Sequence, residues 1–529
     1  MKTILIVLLF AFVTPSLSLP LSTQSRWIVD EPTEDRVKLA CANWAAHLEP
    51  MLPEGLDKKP LNQIARYVAL MGFNCIRLTW ATYMFTRHAN LTVAQSFQDL
   101  GLVEAKVGIA KNNPDILGLT VVDAQKAVVE ELGSHGVMVV LDNQVSQPMW
   151  CCGDTDGNGF FGDEHFNPRE WLRSLAIVAK RFKDTPMVVG MSLRNELRGP
   201  RQNKTVWYRY VRMGANTIHR TNPNLLILIS GLDYDLDFRM LKERPLGLKF
   251  HHKLVFETHR YAFTEGQTDM WLHQPLNNVC ANITGEIEEK VGFLTGGRNP
   301  APLFVTEFGI NQMGVNEADN LFLGCFLGYL AEKDLDWALW ALQGSYYLRD
   351  GLQDPDETYG MFNSSWNSLR SPEFHEKLQL IQQKIQDPKS NVSPYYIMYH
   401  PTSGRCMRGV NNELHPTDCW SLSRWSHAGD GTPIRLMGTP LCLTAVGDGL
   451  PVSLTADCMS EQSTWKLFSD TKYQIANRDE HGTDLCLDWD PNYSSRILTK
   501  KCLCSQDDSD QCHDNPQSQW FKLISSNAN

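Results

Sequence analysis

The sequence predicts an α/β protein in which a (β/α)8 barrel is followed by a smaller β-rich domain. Eight short apolar segments alternate with helical patterns over about 350 residues, which is the layout of such a barrel. Polar and aromatic residues repeatedly follow the ends of the apolar segments. Beyond residue 401 the helical patterns stop, and a segment of about 40 residues recurs three times. The chain has 529 residues, which is too many for one hydrophobic core, so two domains are expected.

The strands of the predicted barrel are short runs rich in Val, Ile, Leu and Phe, as expected for strands that are buried on both faces. Most of them end at a polar or aromatic residue, where a buried segment meets the loop that follows. We predict strands at Val37–Trp44, Asn74–Trp80, Val137–Asp142, Met187–Leu193, Leu225–Gly231, Leu254–Tyr261, Leu303–Gly309 and Trp337–Gln343.

Amphipathic patterns between these strands predict helices. Gly136 is a stop signal after the second helix, and Asn222-Pro223 is a breaker after the fourth. A variable stretch that contains Asn90 follows the second strand, and a long loop follows the third. We predict helices at Leu61–Met71, Val122–Ser134, Arg169–Phe182, Thr205–Arg220 and Glu317–Glu332.

The N-terminus has the layout of a secretory signal peptide. A basic start at Met1–Thr3 is followed by the apolar run Ile4–Val13 and by Ser16–Ser18, a small-x-small cleavage site. We therefore assign residues 1–18 to the signal, the alternative being a buried N-terminal helix. No later stretch reaches the roughly 18 uninterrupted apolar residues of a membrane span, and Leu321–Leu330 comes nearest.

Composition narrows the function classes further. The formal net charge is −11 and no basic block is present, which argues against a nucleic-acid partner. Fourteen cysteines fit a secreted, oxidised protein. Six lie before residue 400 and eight after it, so each half is expected to close its own disulfides. The sequence contains no tight CxxC pair, so a zinc site is not favoured.

Acceptor sites for N-glycosylation are expected at Asn90, Asn203, Asn282, Asn363 and Asn492, whereas Pro394 disfavours the sequon at Asn391.

The loss of helical periodicity places a linker at 386–401, between a barrel domain at 27–385 and a β-rich domain at 402–525. The second domain is rich in Cys, Trp, Asp, Gly and Ser. Its repeats are marked by three similarly spaced pairs of cysteines and by two similar segments, 461–467 and 516–523. This repetition suggests pseudo-threefold symmetry.

Two carboxylates at the ends of predicted barrel strands are the candidate catalytic residues. Glu196 follows the fourth strand and Glu307 lies in the seventh. Active sites of such barrels lie at the C-terminal ends of the strands. A pair of carboxylates flanking one bond is the requirement for glycoside hydrolysis. A single Glu at a strand end is more often a surface residue or an ion-pair partner, but a cluster on several strands favours the functional interpretation.

Other residues at the strand ends suit sugar binding. An Asn before the acid can bond a 2-hydroxyl, an Arg can keep a carboxylate ionised, and a Trp can face a pyranose ring. Each alone has a structural alternative, such as a salt bridge or a core position. The candidate substrate contacts are Arg77, Asn143, Gln144, Asn195, His259, Tyr261 and Trp340.

The first domain resembles glycoside hydrolase family 5, the cellulase-type enzymes with a TIM-barrel fold. The matching segments are GFNCIRLTW at 72–80, SLRNE at 192–196, ETHRY at 257–261, VTEFG at 305–309 and WALWALQG at 337–344. The resemblance implies that Glu196 is the general acid/base and Glu307 the nucleophile of a retaining double displacement. It also implies that Arg77 and Tyr261 attend the nucleophile. Retention requires the two carboxyl groups to lie about 5–5.5 Å apart.

Two features of the third strand and its loop need separate interpretation. The family usually reads Asp-Asn-His where this chain has Asp142-Asn143-Gln144, so one substrate contact is altered and proton transfer there is lost. The segment Asp154–Gly159 resembles the start of a calcium loop, but its twelfth position is His165 rather than Glu, so we interpret it as a turn-rich loop. The adjacent Cys151 and Cys152 would staple this loop if they were oxidised to different partners.

The second domain resembles a ricin B-type lectin, which is a β-trefoil. Gln462–Trp465 and Gln517–Trp520 are loose versions of the Gln-x-Trp repeat of that family. The resemblance implies a sugar-contacting Asp shortly after the first Cys of a repeat. Only the third repeat has one, Asp488, whereas the equivalent positions are Arg408 and Thr444. We expect at most one weak glycan site there, and a purely structural module is the alternative.

These observations together predict a secreted, glycosylated, retaining glycosidase of the plant cell wall that acts as a monomer without cofactor or metal. The expected substrate is a plant-type polysaccharide, β-1,4-glucan first and β-mannan or mixed-linkage glucan second. The rival hypothesis from another class is a carbohydrate-binding protein with weak catalysis, which the Gln144 departure motivates.

Overall fold

The computed structural model describes residues 19–491, 495–504 and 512–529. The chain begins with a hairpin of β1 (Leu21–Gln24) and β2 (Trp27–Asp30). A closed barrel of eight parallel strands follows, in which the last strand pairs with the first. Its strands are β3 (Ala40–Trp44), β4 (Cys75–Ala81), β5 (Met138–Val145), β6 (Val188–Ser192), β7 (Leu226–Ile229), β8 (Leu254–Arg260), β9 (Leu303–Phe308) and β10 (Asp336–Leu339).

Helices connect successive barrel strands and form an outer layer. They are α1 (Leu61–Leu70), α2 (Thr82–Thr86), α3 (Val93–Asp99), α4 (Val103–Asn112), α5 (Pro114–Leu117), α6 (Val121–Ser134), α7 (Pro168–Arg181), α8 (Lys204–Thr221), α9 (Met240–Glu243), α10 (Thr268–His273), α11 (Leu276–Lys290), α12 (Glu317–Lys333), α13 (Pro372–Lys377) and α14 (Gln379–Gln382). Short 3₁₀ turns lie at His251–Lys253, Thr264–Gly266, Gly292–Thr295, Glu461–Ser463 and Pro516–Gln519.

All eight predicted barrel strands and all five predicted helices are present, with ends that differ by a few residues. The sequence did not reveal α2, α3 and α5, because four to seven residues are too few for a clear 3.6-residue period, nor α4, which has ten residues but buries a single side chain, Ile109. It also missed α11, which contains several asparagines and a glycine, residues with low helix propensity.

The initial hairpin closes the N-terminal end of the barrel. Leu21 and Ile28 are fully buried and pack in one cluster with Cys41, Val140 and Leu226 from the barrel strands. Lys253 supports this contact by donating to the Leu21 carbonyl at 2.6 Å. The opposite, C-terminal end of the barrel is thereby left as the open one.

The region beyond the barrel is mostly antiparallel sheet. The small hairpin of β11 (Leu348–Arg349) and β12 (Leu352–Gln353) precedes it. One sheet has eight strands and another has five. The strands are β13 (Tyr395–His400), β14 (Arg405–Val410), β15 (Glu413–Thr417), β16 (Trp425–Ser426), β17 (Thr432–Pro433), β18 (Arg435–Leu436), β19 (Cys442–Thr444), β20 (Ser453–Thr455), β21 (Thr464–Phe468), β22 (Gln474–Arg478), β23 (Asp484–Asp488), β24 (Leu498–Lys501) and β25 (Lys522–Ser526).

Each half of the chain closes its own disulfides, as predicted. The condition under which Cys151 and Cys152 would staple their loop, oxidation to different partners, is not met, because they bond to each other. The remaining disulfides are Cys41–Cys75, Cys280–Cys325, Cys406–Cys419, Cys442–Cys458, Cys486–Cys502 and Cys504–Cys512.

The signal segment 1–18 and the sequon at Asn492 lie outside the described residues. Asn90, Asn203 and Asn282 are exposed, whereas Asn363 is half-buried. Within the described part of the chain, no helix has the length and apolar character needed to cross a bilayer.

Candidate active site

A cleft of about 490 Å³ opens at the C-terminal end of the barrel, where loops that follow several strands meet. Because parallel strands end at the same rim, side chains far apart in sequence converge there. The cleft is lined by six of the residues singled out in the sequence, namely Gln144, Glu196, His259, Tyr261, Glu307 and Trp340.

Glu307, in β9, is held by two donors. Arg77 Nη1 donates to Oε1 at 2.7 Å, and the Tyr261 hydroxyl donates to Oε2 at 3.0 Å. Burial acts to raise the pKa of Glu307, but His259, Arg77 and Tyr261 outweigh it and hold the pKa below its ordinary value. Glu307 is therefore an ionised carboxylate with fixed orientation, which suits a nucleophile.

Arg77 lies fully buried beneath the cleft and fixes several side chains at once. Its guanidinium donates to Asn43 Oδ1 at 2.9 Å and to Asn195 Oδ1 at 2.8 Å, and it lies 3.0 Å from Asp142. Burial raises the pKa of Asp142 to about 7, despite the opposing effect of Arg77. Because Arg77 takes the carbonyl oxygen of Asn195, the amide NH₂ of Asn195 is turned the other way.

His259 joins the two candidate catalytic carboxylates. Its Nδ1 lies 2.9 Å from Glu196 Oε1 and 3.7 Å from Glu307 Oε2, and its Nε2 lies 3.1 Å from Thr306 Oγ1. Burial lowers the pKa of His259, but Glu307, Glu196 and Asp235 reverse this and raise it to about 9. The imidazole is therefore charged at neutral pH and donates from both nitrogens. The Thr306 hydroxyl in turn donates a hydrogen bond to Glu257 Oε2 at 3.1 Å.

Glu196 and Glu307 face each other at short range. An oxygen of each carboxylate and a nitrogen of His259 all lie within 4.8 Å of one another. This close approach of the nearest oxygen atoms is compatible with the retaining spacing of about 5–5.5 Å between the two carboxyl groups.

The backbone at Glu196 has a left-handed conformation, with φ of 43°, which is unfavourable for a residue with a side chain. Asp235, which is fully buried, accepts a hydrogen bond from the Glu196 N–H at 3.0 Å and lies 3.7 Å from His259 Nε2. Burial raises the pKa of Asp235 well above its ordinary range. Asp235 is thus placed to hold the conformation that directs Glu196 into the cleft.

Two neighbouring residues of β5 have different surroundings. Gln144 lines the cleft, as expected. Asn143 does not line it and is fully buried, donating to Thr82 Oγ1 at 3.2 Å and accepting from Arg194 Nη1 at 3.1 Å. The expected direct sugar contact at Asn143 is therefore corrected to a supporting position, because side chains alternate across a strand.

Several lining residues were not singled out in the sequence. His47 follows β3 and bonds Thr79 Oγ1 through Nδ1 at 2.8 Å, and its buried Nε2 has no hydrogen-bond partner among the residues that the structure describes. Burial lowers the pKa of His47 to about 3, so it is neutral and can exchange a hydrogen bond with a hydroxyl. Trp150 also lines the cleft, 6.2 Å from Trp340 between ring centroids. The rule of polar strand ends would have found His47, but nothing in the sequence marks Asp235.

The candidate residue of the second domain, Asp488, lies at the end of β23 and is buried. It pairs with Lys500 at 2.9 Å and accepts from the Ser518 hydroxyl at 3.1 Å. These contacts occupy both of its carboxylate oxygens. A sugar contact at Asp488 stays a prediction.

The sequence model for cellulase (glycosyl hydrolase family 5) matches residues 43–345. A glycosyl hydrolase 5 family protein of Chamaecyparis obtusa is 47% identical over 99% of this chain and 96% of its own length. An endoglucanase of Paenibacillus polymyxa is 22% identical over 66% of this chain and 84% of its own length.

Solved structures share the barrel fold. A hyperthermophilic endocellulase from Pyrococcus horikoshii superposes with a TM-score of 0.57 at 16% identity, covering 69% of this chain and 99% of that one. The catalytic domain of the major endoglucanase from Xanthomonas campestris gives 0.55 at 20% identity, covering 68% and 98%.

Proposed function

The chain belongs to glycosyl hydrolase family 5, and from that premise we propose that it cleaves β-1,4-glucan with Glu196 as acid/base and Glu307 as nucleophile. One observation carries the assignment of roles. Glu307 is held ionised by Arg77 and Tyr261, whereas the carboxylate of Glu196, within 4.8 Å of it, has a single hydrogen-bond partner among the described residues, His259. A firmly held anion suits attack on carbon, and a less constrained carboxyl group suits proton transfer.

In the first step, Glu307 attacks the anomeric carbon while the bond to the leaving oxygen breaks. Glu196 donates its proton to that oxygen, so the shortened chain leaves as an alcohol. The product is a glycosyl ester on Glu307 with inverted configuration. The hydrogen bonds from Tyr261 and Arg77 to Glu307 weaken as the negative charge of Glu307 is lost.

In the second step, Glu196 accepts a proton from water, and the resulting hydroxide attacks the same carbon from the opposite face. The ester bond breaks, Glu307 regains its charge, and the second inversion gives net retention. In this proposal Asn195, which is fully buried but directs its amide toward Cys152 at the cleft wall, bonds the 2-hydroxyl of the sugar, and Trp340, which lines the cleft, faces the ring. His259 Nδ1 lies 2.9 Å from Glu196 and 3.7 Å from Glu307, so its N–H is available to whichever of the two carboxylates carries the negative charge.

The substrate assignment is supported by the endoglucanase and endocellulase relatives. The alternatives are β-mannan and mixed-linkage glucan. Gln144 cannot carry a proton, which keeps open the rival hypothesis of a carbohydrate-binding protein with weak catalysis. The cleft lining includes Glu265 and Glu357 in addition to the two candidate catalytic carboxylates, which favours a neutral polysaccharide over an acidic one.

Reducing-sugar release from β-1,4-glucan, mixed-linkage glucan and β-mannan tests the proposal. We expect the wild type to release most from β-1,4-glucan, and Glu307→Gln to release none. Proton NMR during hydrolysis of cellotetraose should detect the β-anomer first. Equal release by wild type and Glu307→Gln would refute the enzymatic role of this cleft, and an α-anomer formed first would refute retention.

We propose that the second domain is a β-trefoil of the ricin B type. The disulfides Cys406–Cys419, Cys442–Cys458 and Cys486–Cys502 join residues 13, 16 and 16 positions apart, which supports an internal threefold repeat. Binding of the full-length chain with Glu307→Gln to immobilised glycans, compared with the same chain carrying Asp488→Ala, tests the predicted site. Equal binding would remove Asp488 as a sugar ligand.

We propose that the protein is secreted to the cell wall and acts as a glycosylated monomer. Seven disulfides support an oxidising compartment. Glycosidase digestion of the protein recovered from plant medium should lower its mass if Asn90, Asn203, Asn282 or Asn363 carries glycans. Size-exclusion chromatography with light scattering measures its oligomeric state.

A further inference from the structure

The disulfide between Cys151 and Cys152 lies in the cleft itself. Both cysteines are half-buried and belong to the loop between β5 and α7. Both sulfur atoms and a carboxylate oxygen of Glu196 lie within 4.8 Å of one another. A group at this distance from the proposed acid/base is within reach of a sugar at the bond to be cleaved.

This disulfide does little to hold its loop. A disulfide stabilises a fold mainly by closing a long segment of chain, and here the bonded residues are adjacent. The loop is fixed by two buried arginines instead. Arg194 Nη2 donates to the Asn158 carbonyl at 2.7 Å, and Arg198 donates to the Gly153 carbonyl at 3.1 Å and pairs with Asp156. Stabilisation of the loop therefore does not explain the presence of this disulfide in the cleft.

Two amide groups of the cleft are directed at the sulfur atoms. Asn195 Nδ2 lies 3.5 Å from Cys152 Sγ, and Gln144 Nε2 lies 3.6 Å from Cys151 Sγ. Disulfide sulfur is a weak acceptor, so a sugar hydroxyl can replace it at low cost. Gln144 is 2% exposed, and its Oε1 has no hydrogen-bond partner among the described residues, so it is left to accept from a ligand.

We propose that the Cys151–Cys152 disulfide is a sugar-binding surface of this cleft, against which the C–H face of the pyranose unit at the scissile bond packs. Sulfur is large and polarisable, so it makes dispersion contacts with the C–H groups of the sugar. It leaves the hydroxyl groups of the sugar free to bond polar side chains. On binding, hydroxyl oxygens of the same sugar replace the two sulfur atoms as acceptors of the N–H groups of Gln144 and Asn195. The inference rests on the proposed function, since it requires a sugar chain in the cleft.

Titration of cellotetraose into Glu307→Gln, followed by calorimetry, measures the contact. Adding Cys151→Ala and Cys152→Ala should raise the Kd about tenfold, equivalent to about 1.4 kcal/mol. The matched control adds Cys504→Ala and Cys512→Ala, which removes a disulfide remote from the cleft and should leave the Kd unchanged. Equal Kd values for Glu307→Gln with and without the Cys151 and Cys152 substitutions would overturn the inference.

A second measurement does not depend on folding of the substituted chain. Glu307→Gln is treated with a phosphine reductant with and without cellotetraose, and new thiols are alkylated and located by mass spectrometry. Sugar at about ten times its Kd should slow reduction of Cys151–Cys152 about tenfold through occupancy, and leave Cys504–Cys512 unaffected. Absence of protection, or alkylation of Cys151 and Cys152 before any reductant is added, would overturn the inference.

The two hypotheses fail in different ways. If Glu307→Gln binds neither cellotetraose nor mannotetraose and the wild type hydrolyses no polysaccharide, the proposed function fails and the disulfide inference falls with it. If Glu307→Gln binds cellotetraose and the disulfide is neither needed nor protected, the proposed function stands and the inference about the disulfide is refuted.

Discussion

The imidazole of His259 is joined to the carboxylate of Glu196 by a hydrogen bond of 2.9 Å between Nδ1 and Oε1. The same nitrogen lies 3.7 Å from Glu307, so one cation serves both carboxylates. Such sharing keeps two acidic groups close without full ionic repulsion, which a double displacement requires. The cleft can therefore be tested one group at a time.

The roles of the two glutamates are separable by azide rescue. Glu307→Ala and Glu196→Ala should each lower turnover of natural substrate, the former on the order of 10⁴-fold. With azide and β-cellobiosyl fluoride, Glu307→Ala should form the α-azide, because azide enters from the face that Glu307 occupied. With azide and an aryl β-cellobioside, Glu196→Ala should form the β-azide. NMR of the products distinguishes them.

Exchanged stereochemistry between these two variants would reverse the assignment. The exposed Glu243→Ala serves as a control and should retain wild-type turnover and form no azide product.

Tyr261→Phe removes one donor from Glu307. The Tyr261 hydrogen bond helps to lower the pKa of Glu307, so its loss should raise that pKa. The acidic limb of the pH profile of kcat/KM should then move to higher pH, and the maximum should fall by about 10- to 100-fold. An acidic limb that stays in place would contradict the contact. Tyr67→Phe, on an exposed face of α1, is the matched control.

Asp235 is expected to position Glu196 through the backbone. Asp235→Ala removes the acceptor of the Glu196 N–H, so the left-handed conformation at Glu196 loses its support, and kcat should fall about 100-fold with little change in KM. Asp235→Asn retains an acceptor oxygen and should recover most of the activity. Steady-state kinetics on both variants checks this, with Asp184→Asn, at an exposed position, as the control.

If Asp235→Asn were as inactive as Asp235→Ala, the carboxylate charge rather than the hydrogen-bond acceptor would be the required feature. Equal activity of all three proteins would show that Glu196 holds its conformation without help.

Asn277→Ala tests the junction between the barrel and the second domain. Asn277, in α11, accepts from Trp520 Nε1 at 2.9 Å and donates to Gln474 Oε1 at 3.0 Å, all three being buried. Its loss leaves the Trp520 donor unpaired, so the free energy of unfolding should fall by about 1–3 kcal/mol. Chemical denaturation measures this change.

Because Asn277 is remote from the cleft, kcat/KM should be unchanged by its substitution. The exposed Asn224→Ala should alter neither stability nor kinetics. An unchanged unfolding free energy for Asn277→Ala would mean that the junction contributes no stability.

The sequence by itself predicted the barrel, because short strands rich in apolar residues alternate with helical patterns along the first 350 residues. It also predicted Glu196, Glu307, Arg77, His259 and Tyr261 as members of one site, since strand ends of a parallel barrel converge. It did not separate Asn143 from Gln144, because which of two neighbours faces the cleft depends on strand orientation.

Tertiary structure alone decided the contacts that cross between loops. Asp235 has no periodicity or motif to mark it, and only folding brings its carboxylate to the Glu196 N–H. Cysteine spacing likewise left the partners of Cys151 and Cys152 open, and only the loop conformation joins them to each other beside Glu196. Local patterns determine which segments become strands and helices, whereas long-range packing determines which polar atoms meet at the rim of the barrel.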